Sequence, residues 1–339
     1  MRRAIRLRKK IVFSVIAVSG IFGWIEIVLR TIGVEDRVPP PPIVARSIDR
    51  DIEFPFVAVD PFVFWRVTPG FRGDFLGKPV AINSLGLRGP EISHTTRPDR
   101  TRILCFGDSI TFGYGVGDRE TYAYFLEECV GSDKVEVVNC GVTGYTSFQV
   151  ERRFRQLCAE LPCDVATFCV GWNDASVRPV DDVHYARQVR FAASGTATAE
   201  YCYTYRLIRN LYADSYFSEA ASASETNRVP LDAFRRNLQA LVSQSRFRGI
   251  TPVFIDLPCR KGRGAPFRLE YSAALRTTCA ESGVPVIDVG VLSPTFSQAS
   301  NEEYFIDSCH LSVKGHRHLA ERVAGALAEL GLVETPAEM

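Results

Sequence analysis

The sequence carries almost no net charge: 40 Lys and Arg stand against 39 Asp and Glu, leaving +1 at pH 7. So balanced a chain offers no broad basic surface to phosphates, which removes nucleic acid as an expected partner. Internal repeats and long low-complexity tracts are absent as well. The 339 residues, 46% of them hydrophobic, therefore read as one large α/β domain with appendages, or as two small domains. Histidine is scarce. A site that needs an imidazole must draw on His94, His184, His310, His316 or His318.

Lysine is missing where a phosphate site would need it. The stretch Cys105 to Gly117, CFGDSITFGYGVG, has none, whereas a Walker-type loop requires Gly-x4-Gly-Lys-Ser/Thr. The later part, GYGVGD, is G-x-G-x-G rather than G-x-G-x-x-G, and its helix is expected only after Asp118. Both phosphate readings fail. The stretch does hold Ser109, between an acid and a run of glycines, which raises the reading of a nucleophile.

Charge is not evenly spread. Arg2, Arg3, Arg6, Arg8, Lys9 and Lys10 precede any acid, and an apolar run of 19 residues, 11–29, follows with one charge, Glu26. As a helix it would span about 28 Å, near the hydrocarbon thickness of a bilayer. Three readings compete: an uncleaved signal anchor, a cleaved signal peptide and a buried core helix. Length and the lack of a clean small-x-small site favour the anchor. Ala17-Val18-Ser19 fits such a site weakly, since Ile21 and Phe22 follow. The basic flank predicts a cytoplasmic N-terminus, with the remainder extracytoplasmic on a single-pass chain, periplasmic if bacterial. Glu26 is expected to reach headgroups at modest cost.

Ten cysteines do not settle the redox compartment. Cys105, Cys140 and Cys169 fall in apolar runs and read as small core residues. Cys158 with Cys163, and Cys259 with Cys279, are candidate pairs.

Pro39 to Pro42 give a stiff spacer within a linker over 30–50. Residues 51–100 read as short strands and loops packing on the main domain, with Trp65 in the core rather than on a ligand platform. Apolar strands are expected at 102–107, 135–140, 164–170, 251–257 and 284–289. Amphipathic helices lie between them, one burying Val150, Phe154, Leu157, Cys158 and Leu161, another Leu231, Phe234, Leu238, Leu241 and Val242. This alternation implies a mostly parallel five-stranded sheet covered on both faces. Residues 175–230 lack a clear strand and carry Tyr201, Tyr203, Tyr205, Tyr212 and Tyr216. They read as an insertion near the carboxyl ends of the strands, a packed lid in preference to a sugar or acyl site.

A nucleophilic Ser109 needs a base, an acid to orient it, and oxyanion donors. In DSCHLSVKGHRHLA, Asp307 lies three residues before His310, where it can fold back to accept the imidazole N–H. Ser312 is placed to cap the following helix. Gly144, in NCGVTGYT, and Asn173, in VGWND, each follow an expected strand. Carboxyl ends of parallel strands lie together, so Ser109, Gly144 and Asn173 should converge.

Gly107-Asp108-Ser109, Gly144, Gly171-Trp172-Asn173-Asp174 and Asp307-Ser308-Cys309-His310 resemble, in order, the blocks of the SGNH hydrolases, the GDSL esterase/lipase family. The resemblance covers 102–330. It implies a three-layer α/β/α fold, flavodoxin-like in its sheet, within a hydrolase domain over 101–333. It also implies a Ser109, His310, Asp307 triad and an oxyanion hole from the Ser109 and Gly144 amides and the Asn173 side chain. Neither metal nor other cofactor is implied. Ile110 stands where the family name has leucine.

Zinc at Cys309, His310, His316 and His318 is disfavoured, because His316 shares an apolar face with Val313, Leu319, Ala320 and Val323 while His318 turns away. Asp108 and Asp174 read as loop fasteners, and Arg260, Lys261 and Arg263 as a solvated loop. The expected activity is hydrolysis of carboxylic esters carrying small acyl groups, such as acetyl esters of glycans, with lipid or thioester substrates also open. The rivals are an O-acyltransferase using the same site and a catalytically silent, membrane-tethered glycan-binding protein. An intact Ser109, Asp307 and His310 argues against the silent protein. Expected partners are an ester-bearing small molecule, glycan or lipid, and a bilayer through 11–29.

Overall fold

In a computed structural model, residues 2–34, 54–95, 99–178, 180–193, 201–211, 226–256, 265–289 and 301–334 are described. The Pro39–Pro42 spacer, Tyr212, Tyr216, Cys259 and the Arg260, Lys261, Arg263 patch lie outside them.

Helix α1 (Arg2–Ile32) is followed by two antiparallel hairpins, β1 (Val57–Asp60) with β2 (Phe64–Val67) and β3 (Arg72–Phe75) with β4 (Lys78–Ala81). Then come β5 (Thr101–Gly107), α2 (Ser109–Phe112), α3 (Tyr122–Val130), β6 (Val135–Asn139), α4 (Ser147–Glu160) and β7 (Val165–Cys169). The expected insertion contains β8 (Val177–Arg178), α5 (Asp182–Ala193), α6 (203–211) and β9 (Thr226–Asn227). The chain closes with α7 (Leu231–Phe247), β10 (Thr251–Asp256), α8 (Ala265–Glu281), β11 (Val286–Asp288), α9 (Asn301–Tyr304) and α10 (Val313–Glu329).

The five expected strands form one sheet in the order β11-β10-β7-β5-β6 with every pairing parallel. That is the three-layer α/β/α, flavodoxin-like arrangement. Alternation along β5 sorts the layers, since successive side chains point to opposite faces. Ile103 and Cys105 pack with Leu126 of α3 and Leu319 and Val323 of α10. Phe106 turns the other way onto Phe154 of α4, ring centroids 5.3 Å apart.

The hairpins sit on the sheet's helices. Phe56 stacks on Phe112 at 5.0 Å, and the Trp65 indole N–H donates to the Thr143 carbonyl at 3.0 Å. Trp65 is fully buried. Cys158 and Cys163 are free thiols, which corrects their candidate pairing; Cys279 is free too.

By internal contacts the chain divides into two units. One comprises 1–40 with 184–224, the other 41–183 with 225–339. In the first, α1 is long and apolar enough from Arg8 to Ile32 to cross a membrane. Glu26, expected to reach headgroups, is engaged within the protein. Its carboxylate accepts from the backbone N–H groups of Tyr203 and Thr204, at 2.8 and 2.9 Å.

Candidate active site

The second unit holds Ser109, Gly144, Asn173, Asp307 and His310. Ser109 opens α2 immediately after β5, and the Asp108 carboxylate caps that short helix by accepting from the Ile110 N–H at 3.0 Å. Gly107 permits the approach: a Cβ there would lie 2.1 Å from Thr111 Oγ1 and 2.7 Å from the Cys169 carbonyl. Ser109 is buried, but its hydroxyl is not isolated.

His310 Nε2 lies 2.9 Å from Ser109 Oγ, and His310 Nδ1 lies 2.6 Å from Asp307 Oδ2. The other Asp307 oxygen accepts from the backbone N–H groups of Cys309, at 2.8 Å, and His310, at 2.7 Å. The three-residue spacing folds the acid back on the imidazole, as expected. Burial by itself would raise the Asp307 pKa. The hydrogen bonds and charge of His310 outweigh it and hold the carboxyl well below its usual range. An ionised acid favours the imidazole tautomer with its N–H at Nδ1, which would leave Nε2 to accept from the hydroxyl. Ser312 caps α10 through the Gly315 N–H.

Gly144 adopts φ +78°, a left-handed conformation that favours glycine. Among the described residues, neither its N–H nor that of Ser109 has a protein acceptor. The Asn173 amide meets both neighbourhoods, donating at 3.1 Å to Asp108 Oδ2 and at 3.1 Å to the Tyr145 carbonyl. The strand ends after β5, β6 and β7 are thereby brought together. Both Asn173 hydrogens thus have protein acceptors.

The expected loop fasteners act at longer range than their position suggests. Buried Asp174 accepts from the Gly171 N–H at 3.2 Å and from Ser147 through both its N–H and its hydroxyl. Burial pushes its pKa up to about 7 against those bonds.

Three further residues at the site have no motif in the sequence to mark them. Arg228 is buried; its guanidinium pairs with Asp182 at 3.0 Å and donates to the Gly144 carbonyl at 2.8 Å and to Gln149 Oε1 at 2.9 Å. Arg88, from the β-rich extension, donates to the carbonyls of Phe112, Gly113 and Val116 and to Asp118, pinning the segment after α2. Tyr114 stacks on the His310 ring, centroids 4.0 Å apart and planes 21° apart. Buried arginines carry no local sequence signal. Tyr114 lies inside the glycine-rich stretch 105–117, and its distance of five residues from Ser109 is the one hint in the sequence.

The ligand atoms of Asp307, Cys309 and His310 lie within 4.8 Å of one another, the arrangement a metal would need. Both Asp307 oxygens are already engaged by hydrogen bonds within that group. His316 stands elsewhere, buried, with Nδ1 accepting from the Tyr122 N–H at 3.1 Å. Burial, with Arg88 and His310 adding to it, pushes its pKa down to about 3.

The sequence model of the GDSL-like lipase/acylhydrolase family matches residues 105–318. No curated protein matches the chain. Solved structures similar to it include the lipase/acylhydrolase from Enterococcus faecalis, with 20% identity over 70% of this chain and 100% of that one, TM-score 0.45. An acetyl xylan esterase, AlAXEase, shares 16% identity over 67% and 99%, TM-score 0.46. The psychrotrophic esterase EstA from Pseudoalteromonas sp. shares 14% over 68% and 98%, TM-score 0.45.

Proposed function

From a chain that belongs to the GDSL-like lipase/acylhydrolase family, we infer a serine esterase that cleaves carboxylic esters through an acyl-enzyme at Ser109. The observation that carries this is the unbroken line from Asp307 through His310 to Ser109, at 2.6 and 2.9 Å. Ser109 Oγ adds to the ester carbonyl carbon while His310 Nε2 takes its proton. The resulting imidazolium is stabilised by ionised Asp307 and by the Tyr114 ring. The carbonyl oxygen, now anionic, is held by the Ser109 and Gly144 N–H groups and a shared Asn173 N–H. Collapse expels the alcohol, which takes the proton from His310. Water then adds to the acyl-enzyme, gives its proton to His310, and the acid leaves as Ser109 recovers its hydrogen.

Small acyl groups, including acetyl on glycans, are the substrates we propose. A fluorophosphonate probe tests the nucleophile: it should label the wild type, and Ser109→Ala should abolish labelling and ester turnover together. Labelling that survives in the alanine variant would refute the assignment. Esters of graded chain length, with and without sugar acceptors, should give free acid in every case, at rates that fall as the acyl chain grows.

A further inference from the structure

In α6 the distribution of polarity is the reverse of that on a water-facing helix. Arg209 and Asn210 are covered, at 1% and 7% exposure, while Ile208 and Leu211 stand 55% and 58% exposed. The latter two are three residues apart and so share a face. Tyr201, just before the helix, is also exposed. A helix packed on a soluble core buries its apolar stripe and shows its charges to solvent.

What holds α6 in this orientation is the one acid of the apolar run. Glu26 accepts from the N–H groups of Tyr203 and Thr204 and from the Thr204 hydroxyl at 3.0 Å, which caps the first turn of α6. Arg30, one turn on, donates to Glu26 at 2.9 Å and to the Tyr201 carbonyl. Its guanidinium lies 5.3 Å from the Tyr203 ring centroid, and Arg206 lies 4.3 Å from the same centroid while donating to the Val34 carbonyl. The polar groups of this joint are thus turned toward one another. Apolar residues of both helices are turned out, Ile208 and Leu211 on α6 and Ile21, Phe22, Trp24 and Ile27 on α1, while Leu29 of α1 is buried.

We propose that α6 is a second lipid-contacting element, seated in the bilayer interface against α1 with Glu26 as its N-terminal cap. The proposal rests on reading α1 as the membrane span. Glu26 lies three residues inside the end of the apolar run at Leu29, about 4–5 Å along the helix. That is the boundary between headgroups and acyl chains, where interfacial helices bury an apolar face. A free carboxylate there is costly; one satisfied by the first turn of α6 and by Arg30 is not. The partner is therefore a phospholipid surface, met by Ile208 and Leu211.

The test uses the full chain in phosphatidylcholine–phosphatidylglycerol vesicles carrying a radiolabelled phospholipid. The photocrosslinker p-benzoylphenylalanine replaces Phe13, Ile208 or Leu211, one at a time. Crosslinks to lipid are expected from all three positions. Glu26→Ala should reduce crosslinking at 208 and 211 severalfold and leave that at 13 unchanged. Lipid crosslinks at 13 without any at 208 and 211 would overturn the seating of α6 alone. Failure at 13 would overturn the span and the proposal with it. Unchanged crosslinking at 208 and 211 in Glu26→Ala would overturn the role of Glu26 as the cap.

Discussion

At the scale of single residues, the proposed triad was readable because each of its relationships is short in sequence or imposed by the sheet. Asp307 reaches His310 across three residues, and Ser109, Gly144 and Asn173 each follow a strand of one parallel sheet. Tyr114, Arg88 and Arg228 were not readable, because their partners are set by the packing of separate segments. Asn173 shows the limit of position alone: its place after a strand is legible, but nothing in the sequence marks the engagement of both amide hydrogens. Donation to the transition-state oxygen should make Asn173→Ala lower kcat by about 10²-fold with little change in KM. If the amide only ties Asp108 to Tyr145, the same variant should lose melting temperature and keep its turnover. Measuring both on one sample decides between them. His316 gives a prediction in pH. Its folded pKa of about 3 lies below the unfolded value, so between pH 6.5 and 3 the unfolded chain binds the extra proton. Stability is full above that window and falls as pH drops through it. His316→Gln, which keeps an acceptor for the Tyr122 N–H, should flatten that fall. Urea midpoints at pH 7 and 4.5 should then differ less in the variant than in the wild type. An equal difference would rule out a buried neutral imidazole.

Among elements, the five sheet strands declared themselves as apolar runs, and their carboxyl ends marked the site. The β8–β9 ribbon did not, because a pairing of two residues has no period to detect. Yet this ribbon closes the root of the insertion: Val177 pairs with Asn227, and Asp182 meets Arg228 just beyond it. Arg228 then reaches the Gly144 carbonyl, so the root of the insertion and the proposed oxyanion turn share one guanidinium. Removing it leaves Asp182 buried without its partner, and Arg228→Ala should cost about 3–5 kcal/mol in urea unfolding. Adding Asp182→Asn should restore much of that stability by discharging the orphaned acid. It cannot return a donor to Gly144, so kcat should stay low in the stabilised double variant while KM changes little. Full recovery of kcat together with stability would confine Arg228 to a structural role.

Across the whole molecule, the apolar run, the basic flank and the sheet were visible in the sequence, whereas the joint between Glu26 and residues 203–204 was not, being 177 residues apart. What the sequence does bear on is sidedness. Arg2, Arg3, Arg6, Arg8, Lys9 and Lys10 all precede the run at 11–29. Retention of basic flanks in the cytoplasm sets the orientation of a first span. Ser109, Asp307 and His310 all follow the run, and α1 is the one candidate span among the described residues. They should therefore lie together across the membrane from the N-terminus. Reporters fused after Met339 test this in an intact cell: alkaline phosphatase, which folds outside the cytoplasm, should be active there, and a fluorescent protein that matures in the cytoplasm should be dark. Moving the positive charge should move the outcome. Substituting the six basic residues with Gln and adding Lys after Ile32 should lower the phosphatase signal and raise the fluorescence. A phosphatase that is silent in the unaltered chain beside a bright fluorescent fusion would place the Ser109 site in the cytoplasm and reject the proposed orientation.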